Sequence, residues 1–366
     1  MTADLFTPIK LGDLELPNRI VMGPMTRLRA QNNGTPTAVM AEYYAQRATA
    51  GLIITECTMV GSLSHGYLYV PGIYNATQIE AWKNITTAVH GRGGRIFLQI
   101  WHCGRVAHSS LLDEALPIAP SAIPAEGSVY TPIGKVPLEK PREMRLPEIM
   151  RTVKQFGKAA QNAQAAGFDG VEIHGAFGYL IDQFLQDVSN QRTDKYGGSL
   201  ENRLRFLTEV VTAVCKVWGG DRVGIKLSPS NTFHGMQDSD PLATFSGAIQ
   251  ALNSFNLAYI HLMEPNEQDL ATRDVIRPVI DTFGPQVTGA VMANGGFDKE
   301  SASSAIAKGQ ASLVSFARKF LANPDLPKRF ELGAPLNEPN PSTFYGKYSD
   351  DGDNAEVGYT DYPALA

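Results

Sequence analysis

The stretch VEIHGAFGYLIDQFL, Val171 to Leu185, decides how the rest of the chain is read. It opens on a short apolar run, Val171-Glu172-Ile173, that ends at His174. It then passes through a glycine-rich turn showing Phe177 and Tyr179 before an apolar segment resumes. A buried strand whose end carries polar side chains on a glycine turn is what parallel α/β proteins place at a functional mouth.

The pattern recurs along the chain. Runs rich in Val, Ile and Leu, as expected of strands covered on both faces, fall at 19–22, 52–56, 95–99, 170–173, 223–227, 258–262, 287–293 and 312–316. Helical patterns lie between them. Thr77-Gln78-Ile79-Glu80 fits a capping box, after which Ile79, Trp82, Ile85 and Val89 form one apolar face that Gly91 ends. Pro147 suits a first helical turn, and Ile149, Val153, Phe156, Ala160 and Ala163 follow at helical spacing. Leu200, Leu204, Leu207, Val211 and Val214 repeat the pattern after Gly198-Ser199. Strand and helix alternating in this way predict an α/β fold, a (β/α)8 TIM barrel, as one domain over 1–366. A doubly wound sheet is the competitor that periodicity leaves open. Residues 102–145 are proline-rich and lack helical spacing. They are read as a long capping loop after strand three, a lid over the mouth, with a small hairpin expected at 128–136.

Composition narrows the function. The chain has 366 residues, 43% hydrophobic, with a net charge of −5 and no basic block, which disfavours nucleic acid as a partner. Cys57, Cys103 and Cys215 are too few and scattered for a disulfide framework. No uncharged apolar run has membrane-spanning length, and Asp4 and Lys10 interrupt the start. A cytoplasmic protein with no membrane association is expected.

The residues just past the strands are the candidate site. His174 has a plain reading as a core-edge histidine and a functional one as a donor to a carbonyl oxygen. No second ligand lies at metal-binding spacing, so no metal is expected. Tyr179 is either a packing aromatic or a general acid, since a phenol stays protonated at neutral pH. Gly295, Gly296 and Arg318 follow the last two strands, where barrels often bind phosphate. Lys226 puts a cation at strand five, and Gln99 offers donor and acceptor to a heterocycle edge. Together they suit a phosphorylated flavin, and no G-x-G-x-x-G after a strand suggests a dinucleotide fold.

LFTPIKLGDLELPNRIVMGPMTRLRA, EYYAQRATAGLIITE, IFLQIWHCGRVAH, AGFDGVEIHGAFGYLIDQFL, SNQRTDKYGGSLENRLRF, FARKFLANPDLP and GYTDYPAL cover nearly the full length. Through these stretches the chain resembles the Old Yellow Enzyme family of FMN-dependent ene-reductases. It looks nearest the bacterial branch of N-ethylmaleimide and nitrate-ester reductases. The resemblance implies bound FMN, reduced by NADH or NADPH, and an activated alkene as small-molecule substrate. It implies that Pro24, Met25 and Thr26 line the flavin, that Cys57 and Gln99 contact its ring, and that Lys226 lies near its N1–C2 edge. Asn294, Gly295, Gly296, Ala317 and Arg318 would hold the phosphate. His174 would hold the substrate oxygen with a partner three residues on, Tyr179 would protonate the α carbon, and Trp101 and Tyr345 would shape the pocket.

Three positions depart from the family pattern. Phe177 stands where the family has Asn or His, and a phenyl ring donates no hydrogen bond. Lys226 stands where Arg is usual, keeping charge but losing the planar fork. Leu68 sits at a loop position where an aromatic is common. Alternatives therefore stay open: the same barrel with different chemistry (nitro or nitrate-ester reduction, dehydrogenation, radical reactions), or a flavin-free phosphate-binding lyase or isomerase.

Overall fold

The computed structural model describes residues 3–346 and 355–365. The ends of the expected 1–366 domain, and 347–354, lie outside the described residues. Eight parallel strands close into a barrel: β1 Ile20–Met22, β2 Leu52–Ile54, β3 Ile96–Trp101, β4 Gly170–His174, β5 Val223–Leu227, β6 Tyr259–Met263, β7 Val291–Asn294 and β8 Leu313–Phe316. Pairing of β8 with β1 and of β3 with β4 leaves no open edge, which excludes the doubly wound sheet. Helices follow the strands, including Ala76–His90, Leu146–Ala165, Leu200–Trp218 and Pro241–Asn253. None of the described helices is long and apolar enough to cross a membrane.

Strand side chains alternate between two environments, as a pleat of period two requires. One set, including Ile20, Ile53, Leu98, Ile173, Ile225, Leu262 and Val314, packs outward against the helices in the main core. The other set points into the barrel. Its lower layer is apolar: Val21, Leu52, Phe97, Tyr259, Met292 and Leu313. The hairpin formed by Ile9–Leu11 and Leu14–Leu16 adds Leu11, Leu14 and Leu16 to that layer and plugs the barrel floor. Gly224 belongs to it for a steric reason: a Cβ there would come within 2.2 Å of the Tyr259 ring. One pleat higher the same inward set turns polar, with Gln99, Glu172, Lys226, His261, Asn294 and Ser315 buried.

Some local expectations shift. The helix after β2 starts at Ala76, not after Thr77. Asn75 caps it by accepting from the Gln78 backbone N–H at 2.9 Å, because Asn serves as N-cap at least as well as Thr. The seventh strand begins at Val291, since a 3₁₀ turn at Gly284–Gln286 and capture of the Thr288 N–H by the Asn253 amide at 3.0 Å take the preceding residues out of the ladder. The proline-rich 102–145 segment carries a hairpin, Ser128–Thr131 with Gly134–Pro137, and a parallel pairing of Ile118–Ala119 with Arg142–Glu143. It packs on loops at the C-terminal ends of β4 and β5. The buried Arg105 guanidinium donates to the His234 carbonyl at 3.2 Å, and Arg192 donates to the Pro120 and Met144 carbonyls at 2.9 and 2.7 Å.

Candidate active site

The polar inward layer is a connected ladder. The Cys57 thiol donates to Gln99 Oε1 at 3.0 Å, and Gln99 Nε2 donates to Glu172 Oε1 at 2.7 Å. His261 Nδ1 lies 2.8 Å from Glu172 Oε2, and His261 Nε2 lies 2.7 Å from the Ser315 hydroxyl. Burial and the Lys226 charge depress His261 to about 4, so it is neutral; it donates from Nδ1 and accepts from Ser315. Burial alone would raise Glu172, but His261, Lys226 and Gln99 outweigh it and its pKa is lowered, so the carboxylate stays ionised.

Lys226 completes the ladder and leaves it incomplete in one respect. Its ammonium donates to Asn294 Oδ1 at 3.0 Å, and Asn294 Nδ2 donates to the Ser315 carbonyl at 3.0 Å. An ammonium has three donors, and no second hydrogen bond is made by Lys226 among the described residues. Burial lowers its pKa to about 8. The Phe177 ring covers it with its centroid 5.3 Å from Nζ, a cation–π contact. The phenyl at 177 therefore offers no hydrogen-bond donor but a surface that favours the buried cation.

His174 and Tyr179 lie above the ladder with their rings edge to face, centroids 5.0 Å apart. His174 Nδ1 accepts from the Ala176 N–H at 3.3 Å, which puts the ring proton on Nε2, unpaired among the described residues. Burial and Lys226 depress His174 to about 3, so it is a neutral donor rather than a cation. Burial raises the Tyr179 phenol well above 10, keeping its proton in place. The turn between them is strained: Phe177 has φ +56°, left-handed and costly for a bulky residue, followed by Gly178 at φ +74°. The strain is held from both sides, since Ser228 Oγ accepts the Phe177 N–H at 2.9 Å and His234 Nδ1 donates to the Phe177 carbonyl at 2.9 Å. His234 itself has φ +62° and its ring lies 5.4 Å from Tyr179.

The other expected residues take distinct places. Pro24, Met25 and Thr26 are half-buried directly after β1, and the Thr26 hydroxyl lies against the Cys57 thiol, which burial pushes up to about 12. Trp101, last in β3, meets Tyr179 edge to face at 5.0 Å, and its buried indole Nε1 has no partner among the described residues. Leu68 is buried in an apolar cluster with Trp101, Cys57 and Cys103. Tyr345 is 60% exposed at the rim, held through the Gly346 N–H on the Arg27 carbonyl at 3.0 Å. On the far side, Gly295 and Gly296 have φ +101° and +74°, and nothing lies within 4 Å of where a Gly296 side chain would start. Ala317 is half-buried, and the exposed Arg318 guanidinium makes no ion pair among the described residues.

Two neighbours of the site were not singled out by sequence. Tyr67 stacks on Trp101 at 5.8 Å, and its hydroxyl lies 3.1 Å from that of Tyr179. It supplies an aromatic one residue before Leu68. His234, on the loop after β5, braces Phe177. Both sit on loops without a periodic signal.

Known proteins resemble this chain over nearly its whole length. The model of the NADH:flavin oxidoreductase / NADH oxidase family matches residues 4–337. The 12-oxophytodienoate reductase 1 of Oryza sativa subsp. japonica is 47% identical over 365 residues, spanning 99% of this chain and 93% of that protein. The 12-oxophytodienoate reductase 2 of Arabidopsis thaliana is 43% identical over 373 residues, spanning 99% and 96%. Among solved structures, morphinone reductase superposes with a TM-score of 0.93 at 44% identity, covering 100% of this chain and 97% of its own. The old yellow enzyme homologue from Zymomonas mobilis superposes at 0.92 with 41% identity, covering 99% and 100%. Such even identities single out no branch.

Proposed function

We infer the roles of the site's residues from one premise: the chain belongs to the Old Yellow Enzyme family, the NADH:flavin oxidoreductase / NADH oxidase family, and is an FMN-dependent NAD(P)H ene-reductase of activated alkenes. The flavin-free lyase or isomerase alternative falls with that premise. When bound, FMN supplies the redox chemistry, accepting hydride from NAD(P)H and passing hydride to the alkene.

The donor set fits that group. Lys226 is a buried ammonium with unused donors, suited to an electron-rich ring edge that gains charge on reduction. The open space over Gly296 and the exposed guanidinium of Arg318, which lies 5.9 Å from the Phe344 ring, suit a phosphate. Pro24, Met25, Thr26, Cys57 and Gln99 would line the ring, and Asn294, Gly295 and Ala317 would complete the phosphate end. Gln99 already serves Cys57 and Glu172, so it has one N–H left to offer.

The substrate side falls to His174 and Tyr179. The His174 Nε2–H holds the substrate oxygen and stabilises the enolate-like charge that grows there as hydride reaches the β carbon. Tyr179 then gives its proton to the α carbon. Trp101, Leu68 and Tyr345 shape the pocket, and 102–145 acts as its lid. Phe177 removes the second donor, a loss on the order of 3 kcal/mol, roughly a hundredfold in rate. Three free cysteines support a reducing, cytoplasmic setting.

The observation that carries this reading is a neutral donor and a protonated phenol at the end of one strand, rings 5.0 Å apart. The test is anaerobic: NADPH bleaches the flavin, then cyclohexenone is added. Recovery of the oxidised spectrum is expected, and a flavin that reduces but is never reoxidised by the enone would refute the assignment of these residues to an alkene site.

A further inference from the structure

We propose that Tyr67 is a positioning residue for the proton step: its hydroxyl donates a hydrogen bond to the Tyr179 oxygen, aims the Tyr179 proton at the substrate and stabilises the tyrosinate left behind. The inference rests on the reading of Tyr179 as the acid and adds the group that makes it one.

Tyr179 sits in a box of rings. Trp101 and His174 present edges at 5.0 Å each, and His234 closes a third side at 5.4 Å. None of these makes a hydrogen bond to its hydroxyl; among the described residues only Tyr67 does, at 3.1 Å. Tyr67 in turn has no other side-chain hydrogen bond among the described residues. Its ring lies nearly parallel to Trp101, with an interplanar angle of 20°. The backbone beneath it is pinned, since a side chain at Gly66 would collide with Cys103 Sγ at 2.4 Å. Neighbouring Leu68 is anchored in the apolar cluster. Tyr67 is thus held in place rather than hanging on a free loop.

Two phenols share one hydrogen bond, and its direction decides whether Tyr179 works. If Tyr179 donated to Tyr67, its proton would point away from the substrate. With Tyr67 as donor, the Tyr179 proton is free and its oxygen already carries the bond that its anion needs. When the α carbon takes the proton, the Tyr179 O–H bond breaks, its electron pair stays on oxygen, and a C–H bond forms from the substrate's electron pair. The Tyr67 O–H bond stays intact throughout. The tyrosinate regains a proton from water afterwards. In a buried site an unsupported tyrosinate is costly, and a charge-assisted hydrogen bond offsets part of that cost.

Tyr67→Phe keeps the ring and its stacking while removing the donor. In the holoenzyme, anaerobic stopped-flow is expected to show the alkene half-reaction slowed roughly ten- to hundredfold, the range of a charge-assisted hydrogen bond. Flavin reduction by NADPH is expected to change less than about twofold, with a larger solvent deuterium isotope effect on the alkene step. In a Tyr179→Phe background, Tyr67→Phe is expected to add no further slowing, because it acts through Tyr179. The ¹³Cζ resonance of Tyr179, identified by its loss in Tyr179→Phe, is expected to move in Tyr67→Phe. An unchanged alkene rate in Tyr67→Phe, an additive double variant or an unmoved resonance each overturns the proposal. If Tyr179→Phe itself leaves the alkene step untouched, the underlying acid assignment has failed instead.

Discussion

The barrel mouth holds two polar regions built on opposite rules. The ladder of Gln99, Glu172, His261 and Ser315 is nearly closed: each of these side chains has a partner within 3.0 Å, with one Gln99 N–H left over, on regular strands and in register. The ring cluster of His174, Phe177, Tyr179 and His234 is open and strained, with left-handed backbone at Phe177 and His234 and a His174 donor that has no partner among the described residues. The ladder resembles a core that happens to be polar, because a half-satisfied buried network would be worse than an apolar one. The cluster resembles a tool, because strain and unspent donors persist only where the surroundings enforce them. Lys226 belongs to both: it is bonded to Asn294 below and covered by Phe177 above.

If the division is real, variants in the two regions fail in different currencies, activity in one and stability in the other. The largest effect belongs to Tyr179. Tyr179→Phe is expected to slow the alkene half-reaction about 10²- to 10⁴-fold, the range for a positioned proton donor, with flavin reduction and melting temperature little changed. Equal slowing of both half-reactions, measured by anaerobic stopped-flow, would remove Tyr179 from the proton step. The opposite signature is expected for Glu172→Ala. It removes the buried negative charge that favours the Lys226 ammonium and leaves Gln99 and His261 without an acceptor. Leaving buried donors unsatisfied in this way costs about 1–3 kcal/mol each. Thermal unfolding of the holo protein should fall by many degrees, and a variant as stable as the parent would show that the ladder is not structural.

The sequence showed the two regions unequally, and the reason is physical. The ladder sits on strands, where composition and period-two alternation announce burial, so Gln99, Lys226 and Asn294 could be picked out as strand-end residues. β5 occupies the 223–227 run that its composition marks. His174 and Tyr179 were legible because one strand end and one glycine turn carry both. Tyr67 was not, because its partner is 112 residues away in sequence, and neither was His234, 57 residues from the carbonyl it braces. Contacts between loops leave no periodic trace. Phe177 was legible only as a missing donor; that it covers Lys226 is a matter of packing that no spacing encodes.

Phe177→Asn sharpens the comparison from inside the cluster. Asn adopts left-handed backbone more readily than Phe and restores a donor beside His174. Turnover of cyclohexenone is expected to rise, by up to roughly a hundredfold if the full donor effect returns. The gain should be smaller than the loss in Tyr179→Phe, and it comes with loss of the cation–π cover on Lys226. An unchanged rate would mean that His174 alone saturates the oxygen site and that Phe177 serves Lys226 instead.

The smallest expected effect tests the residue the two regions share. In the protein without FMN, burial holds Lys226 at about 8. A phosphorylated flavin favours the charged ammonium, so binding raises that pKa, and once the pH passes the free value Lys226 takes up a proton from solvent on binding. Below pH 8 the lysine is charged in both states and affinity is flat. Above 8 the free protein must be protonated to bind, and affinity falls with rising pH by up to about tenfold per unit, levelling off at the bound-state pKa. Fluorescence titration of FMN into apoprotein between pH 6.5 and 9.5 follows this directly. Lys226→Arg is expected to flatten the profile across that range, because guanidinium stays protonated. A slope that survives in Lys226→Arg would assign the proton to another group and detach Lys226 from the cofactor side of the mouth.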